Sequence, residues 1–224
     1  MTFSIVARCA ATGMFGVAVS SSSPAVAARC AYARAGVGAV ASQNVTDPTL
    51  GPHCLDLMDG GASAGEAVAE LQRTGNHMEY RQVLAVDREG GSAIHSGANA
   101  LGIWAEAKAV NVACGGNLLA NETIPSAMVE AFGNSTGPLG DRLIGVLRAA
   151  LAAGGEAGPV HSAGMILVRD VAWPLADLRV DWSEDCPIEA LASLWDLYRP
   201  QLEDYVTRAL NPSVAPSYGV PGDR

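Results

Sequence analysis

The chain of 224 residues holds a single lysine, Lys108, and only 14 Lys+Arg against 23 Asp+Glu, for a formal net charge of −9. Binding to a phosphate backbone or an anionic membrane surface needs an excess of cations, so neither nucleic acid nor membrane is expected as a partner. Aromatic residues are scarce at 5% and charged ones at 17%, while apolar residues reach 49%. A disordered chain shows the opposite balance. The longest uncharged run, residues 9–28, is broken by Gly13, Gly16, the Ser20–Ser23 run and Pro24. It reads as two strand-like pieces and a turn, not as a spanning helix. No basic segment followed by an apolar run opens the chain, so no signal peptide is expected and the protein reads as cytoplasmic and soluble.

Metal-binding spacings are also missing. The five cysteines, Cys9, Cys30, Cys54, Cys114 and Cys186, are scattered and form no C-x-x-C. The four histidines, His53, His77, His95 and His161, form no H-x-x-x-H. Free thiols in a reducing compartment and no metal or cofactor are therefore expected. His161, just before a strand-like run, is an acid/base candidate, although a structural histidine is the commoner case.

Two glycine motifs match on paper and fail on context. Gly36–Ala41 fits the G-x-G-x-x-A spacing of a dinucleotide site, but the strand follows the first glycine and helix signals wait until Pro48. Gly133–Gly137 fits G-x-S-x-G, but it lies between two helical stretches, where a nucleophile elbow needs a strand before it.

What is present is a mixed pattern. Thr2–Arg8 and Met14–Ser20 form a hairpin candidate, and Val37–Ser42 is a further strand. Leu50–Met58 reads as a helix, and Ser63 with Glu66 makes a capping box for a second that stops near Gly75. Gln82–Asp87 and Ser92–Ser96 flank a turn, and Val110–Cys114 is a strand leading into Gly115-Gly116-Asn117. Two helices, Ile124–Phe132 and Leu139–Ala153, precede strands at Ser162–Val168 and Asp177–Asp181. A last helix from Pro187 carries an apolar stripe from Ile188 to Ala209, which Pro200 should kink or split. Strands grouped as hairpins and helices grouped in pairs imply layered α+β packing in one domain, residues 1–210, with a Pro-rich tail over 211–224.

Thr2 carries the most chemistry. Methionine aminopeptidase removes an initiator methionine that precedes a small residue. Loss of Met1 leaves Thr2 with an α-amine of unperturbed pKa about 7.7–8.0 beside its own hydroxyl, so one residue supplies nucleophile and base. Chain ends fray unless they are tied down, and here the end runs straight into a strand. That strand carries Phe3, Ile5 and Ala7 on one face and Ser4, Val6 and Arg8 on the other.

Thr2–Arg8, Thr12-Gly13, Gly16–Val19 and Gly36–Gln43 resemble the opening of the bacterial and archaeal family called domain of unknown function 1028. Gly116–Ala120, Gly154-Gly155, Ser162-Ala163 and Asp177–Asp181 resemble its later segments, so the likeness spans roughly residues 2–195. The resemblance implies the N-terminal-nucleophile (Ntn) hydrolase fold, a four-layer α-β-β-α sandwich of two antiparallel sheets between helices. It implies no settled reaction. The N-terminal segment is also similar to the mature start of plant-type asparaginases, where small hydroxyl residues end the second strand. Ser20 and Ser21 fall at that place and become candidates to hydrogen-bond Thr2. Gly116 and Asn117, at a strand end, are candidates to bind an oxyanion. Two departures stand out: members of the family often carry Arg where Ser22 stands and a basic loop where Glu156–Val160 stands. A different substrate or a lost activity follows if those groups bind substrate.

The expected function is an Ntn-type amide hydrolase acting through Thr2 on a small substrate. Arg8, Arg29 and Arg34 give residues 1–46 a charge of +3, which favours an anionic or amino-acid-like amide and makes Arg34 a substrate-binding candidate. The alternatives are a non-catalytic module that binds a small ligand between the sheets, and an assembly protein that uses the Ile188–Ala209 stripe. A homodimer is expected because two-fold oligomers are the commonest.

Overall fold

The computed structural model describes residues 2–222. Met1, whose removal the expected chemistry requires, and the last two residues of the tail lie outside the described residues. The chain is mixed α+β, with two antiparallel sheets and helices packed on them.

β1 (Thr2–Arg8) and β2 (Phe15–Ser21) form the expected hairpin. A single helical turn, α1 (Ala27–Cys30), leads into β3 (Ala31–Arg34) and β4 (Gly38–Asn44). Then come α2 (Leu50–Asp59), α3 (Ala64–Thr74), β5 (Arg81–Asp87) and β6 (Ser92–Ser96). β7 (Ala105–Ala109) and β8 (Val112–Asn117) precede α4 (Ile124–Asn134) and α5 (Leu139–Ala152). The chain closes with β9 (Ser162–Val168), β10 (Ala176–Val180), α6 (Pro187–Tyr198) and α7 (Leu202–Leu210).

One sheet has six strands in the order β10-β9-β2-β1-β8-β7, and the other has four in the order β3-β4-β5-β6. β1 lies inside the larger sheet, paired to β2 on one side and to β8 on the other. Side-chain alternation sends its two faces into different cores. Phe3, Ile5 and Ala7 join Met128, Leu143, Leu147, Leu191 and Trp195 from α4, α5 and α6. Val6 faces the second sheet, where Val17, Val19, Ala39, Ala41, Leu84, Val86, Ala113 and Ile166 meet. A third cluster joins Val40, Val83 and Ala85 to Cys54, Leu55, Met58, Val68 and Leu71 of α2 and α3. A fully buried aliphatic side chain is worth about 1.5–3 kcal/mol, so β1, buried on both faces, is firmly held from Thr2 onward.

The capping box at Ser63 and Glu66 forms as the sequence expects. Pro200 divides the last helix: a single 3-10 turn, Arg199–Gln201, separates α6 from α7. The described part of the tail folds back on α7, with Arg208 donating to the carbonyls of Pro216 and Ser217 and lying 4.0 Å from the Tyr218 ring centroid. One boundary and two strands differ from the sequence expectation. Val110 and Asn111 form the tight turn between β7 and β8, and Asn111 sits at φ 69°, so the strand begins at Val112. β3 and β7 are short edge strands with no clear sequence signal.

Candidate functional site

Because β1 alternates, Thr2 points the same way as Ser4 and Val6, into the space between the sheets. It is buried, at 6% exposure. On β2, Val17 and Val19 share that face, and so does Ser21. The Thr2 and Ser21 hydroxyls consequently meet, Oγ1 to Oγ 3.3 Å apart, with either able to donate. Ser20 points to the opposite face, and its Oγ donates to the Ser162 carbonyl at 3.0 Å. Of the two candidate serines, only Ser21 reaches the Thr2 hydroxyl.

On the other side of Thr2, the sheet register sets Asn117 opposite it. Gly116 turns toward the helices, where a side chain would collide with Leu119 at 2.6 Å and crowd the Thr2 carbonyl at 3.0 Å. Glycine is therefore needed there for packing, whatever its chemistry. Asn117 is buried, and its Nδ2 makes one long bond, 3.5 Å, to Gln82 Oε1.

Behind Thr2 runs a buried polar network between the sheets. Ser4 Oγ donates to Gln43 Oε1 at 2.6 Å, and Gln43 Nε2 donates to Gln82 Oε1 at 2.7 Å and to the Gly115 carbonyl at 3.2 Å. Gln82 Nε2 in turn donates to Ser96 Oγ at 3.0 Å and to the Gly116 carbonyl at 3.3 Å. This chain of amides fixes the ends of β1 and β8 against the second sheet.

Three further groups stand beside the cluster. Glu156 lies in the loop before β9, bridged to Leu119 and only 4% exposed. Both its carboxylate oxygens accept from the Ser22 N–H, each at 3.2 Å. Burial pushes its carboxyl up to about 7, against the opposing pull of the chain's own N-terminal charge first, then of the Ser22 bonds and His161. His161 donates its backbone N–H to the Ser21 carbonyl at 2.8 Å. Its Nδ1 lies 2.9 Å from the Ser183 carbonyl, which can only accept, so Nδ1 carries the proton and Nε2 keeps its lone pair when the ring is neutral. Trp182 stacks on the imidazole, with ring centroids 4.3 Å apart and planes 12° apart.

Arg34 is not part of this cluster. It pairs with Gly38 at the far end of β4 and forms ion pairs with Asp56 at 2.7 Å and Asp59 at 3.3 Å. The other N-terminal arginines are also engaged elsewhere, Arg8 with Asn111 and Arg29 with the carbonyls of Pro24 and Ala25. The positive charge of residues 1–46 is thus spent on structure. An apolar cavity of ≈ 480 Å³, lined by Cys9, Met14, Leu139, Trp195 and Leu202, lies at the opposite end of β1 and is separate from this site. Among the described residues, no three His, Cys, Asp or Glu side chains are grouped to hold a metal ion, and no helix is long and apolar enough to cross a membrane.

The sequence pointed to Thr2, Ser21 and Asn117, which the fold brings together. It gave no site role to Gln43, Gln82 or Glu156. The only available signal was a polar residue at each end of an apolar strand run and a carboxylate in the loop that departs from the family pattern.

A family model described as a family of unknown function (DUF1028) matches residues 2–191. The crystal structure of a DUF1028 protein from Silicibacter pomeroyi superposes with a TM-score of 0.83 at 28% identity, covering 91% of this chain and 94% of that one. Anbu (ancestral beta-subunit) from Yersinia bercovieri gives a TM-score of 0.40 at 10% identity, covering 90% of this chain and 96% of that one. No curated protein matches. With nearly its whole length covered, the chain belongs to the DUF1028 family, whose function is unknown.

Proposed function

We propose that this protein is an N-terminal-nucleophile hydrolase of small amides, built as a four-layer α-β-β-α sandwich, with Thr2 as nucleophile once Met1 is removed. The observation that carries the reading is the Thr2–Ser21 contact: a buried threonine at the start of an interior strand, its hydroxyl 3.3 Å from a second hydroxyl, with Asn117 in register on the neighbouring strand. The freed α-amine takes the proton from Thr2 Oγ1, and the oxygen attacks the substrate carbonyl. Negative charge develops on the carbonyl oxygen, and the Asn117 Nδ2–H, on the strand paired beside Thr2, is the donor assigned to it. The C–N bond breaks as the ammonium returns its proton to the leaving amine. Water, deprotonated by the same α-amine, then cleaves the Thr2 ester and restores the enzyme. Ser21 holds the Thr2 hydroxyl in place throughout.

The test is a panel of small amides assayed with wild-type protein, Thr2→Ala and Thr2→Ser. The reading predicts that Thr2→Ala loses about 10³-fold or more in kcat, while Thr2→Ser keeps measurable turnover. A Thr2→Ala variant as active as wild type on any substrate found rules out Thr2 as the nucleophile and leaves a ligand-binding role on this scaffold.

A further inference from the structure

The end of β1 remote from Thr2 borders a second cavity, of ≈ 220 Å³, between the β7–β8 turn, the end of α4 and the first turn of α5. Arg8, the last residue of β1, lines it, and so does Arg142 of α5. Val112, Val129 and Phe132 supply apolar wall, and Asn111 a neutral amide. Val110, 77% exposed in the turn, adds an apolar lip. At about 3.3 Å per strand residue, Arg8 lies roughly 20 Å from Thr2, so this cavity is distinct from the candidate site.

Both arginines are half-buried and neither has a carboxylate partner. Among the described residues neither forms an ion pair, in a chain whose 23 Asp+Glu outnumber its 14 Lys+Arg. No Asp or Glu lines the cavity. Asp141, next to Arg142 in sequence, is committed to Arg199 and to the Trp195 Nε1–H. Arg8 donates through Nη1 to Asn111 Oδ1 at 3.1 Å. That amide is neutral, so the bond orients the guanidinium and leaves its charge uncompensated. Arg142 donates through Nε to Ser135 Oγ at 2.9 Å and through Nη2 to the Phe132 carbonyl at 3.1 Å, and it lies over the Phe132 ring, 3.9 Å from the centroid. These partners are also neutral. Arg8 Nε and Nη2 and Arg142 Nη1 keep donors with no hydrogen-bond partner among the described residues.

The surroundings agree with an anion. Burial raises the thiol of neighbouring Cys9, but the Thr12 hydroxyl, the Thr12 and Ala11 backbone and Arg142 together bring it below its usual value. Cys9 itself lines the larger apolar cavity and not this one. The wall also holds Asn111 in a left-handed conformation, φ 69°, with its N–H on the Gly90 carbonyl and its own carbonyl accepting from the Arg8 N–H. A guanidinium edge matches a carboxylate with two parallel N–H bonds, and valine and phenylalanine walls suit an apolar body behind it. The volume falls below the roughly 300–1,000 Å³ of sites for drug-sized ligands, so the acid is compact.

We propose that Arg8 and Arg142 form a binding site for a small monocarboxylic acid with an apolar body, separate from the site at Thr2. The proposal does not rest on the hydrolase reading.

Calorimetry at pH 7 and low salt tests it, with benzoate, its uncharged isostere benzamide and inorganic phosphate as probes. The proteins are wild type, Arg8→Gln, Arg142→Gln and Thr2→Ala. Benzoate is expected to bind with a Kd of about 1 mM or tighter, at least tenfold more tightly than benzamide or phosphate, and to weaken as salt is added. Each arginine substitution is expected to weaken benzoate about tenfold or more, because it removes one charge and one fork. Arg142 also ties α4 to α5, so Arg8→Gln decides the matter if Arg142→Gln melts early. No benzoate binding at that level, benzamide or phosphate binding as tightly, or an Arg8→Gln variant that binds benzoate like wild type overturns the proposal. Thr2→Ala is expected to bind benzoate unchanged, so loss of the hydrolase reading leaves this site standing, and the reverse also holds.

Discussion

Glu156 makes the residue-scale account testable without any substrate. Its carboxyl is raised from the ordinary 4.5 to about 7 in the folded protein. The folded state thus binds a proton that the unfolded state has released between these values. The stability tied to this group is fully present below about 4.5 and is lost as pH rises through about 7. Glu156→Gln cannot ionise, so it is expected to be more stable than wild type at pH 8, with the gap closing toward pH 5. Urea melts at the two pH values measure it. A gap that does not change with pH contradicts burial as the cause of the raised carboxyl. Thr2 was legible in the sequence because its chemistry depends on its place in the chain. Glu156 was not, because its burial arises only when the loop before β9 closes on the ends of β2 and β8.

At the scale of elements, the ends of β1, β4, β5 and β8 are tied by amides as well as by apolar packing. Gln43 is the hub, since it accepts from Ser4 and donates to Gln82 and to the Gly115 carbonyl. Gln43→Ala leaves three buried polar groups short of a partner, at a cost of about 2–4 kcal/mol, or a fall in Tm of roughly 5–10 °C. Scanning calorimetry reads it, and a change under about 1 °C contradicts the network's structural role. The sequence marked β1 and β2 because both are apolar runs joined through turn residues. It missed β7, whose residues Ala-Glu-Ala-Lys-Ala favour a helix in isolation. Pairing with β8 overrides that preference, and the charged Glu106 and Lys108 suit an edge strand that must not recruit another chain. The stripe from Ile188 to Ala209 also resolves at this scale. Ile188, Leu191 and Trp195 pack into the protein's own core, and Tyr205 stacks on Tyr198 and meets Tyr218 at a tilt in the same chain.

For the whole molecule, the net charge is −9, and Arg8, Arg29 and Arg34 are engaged with groups of the same chain. The mixed α+β class was legible because helices and hairpins alternate in groups along the chain. The meeting of Thr2, Ser21 and Asn117 required the register of three strands, which periodicity alone does not give. The hydrolase reading depends on a free α-amine at Thr2. The intact mass of the protein, expressed in bacteria without an N-terminal tag, tests that most directly. The account predicts a mass lacking one methionine, with Thr2 as the first residue. A mass that retains Met1 leaves Thr2 without a free amine and contradicts it.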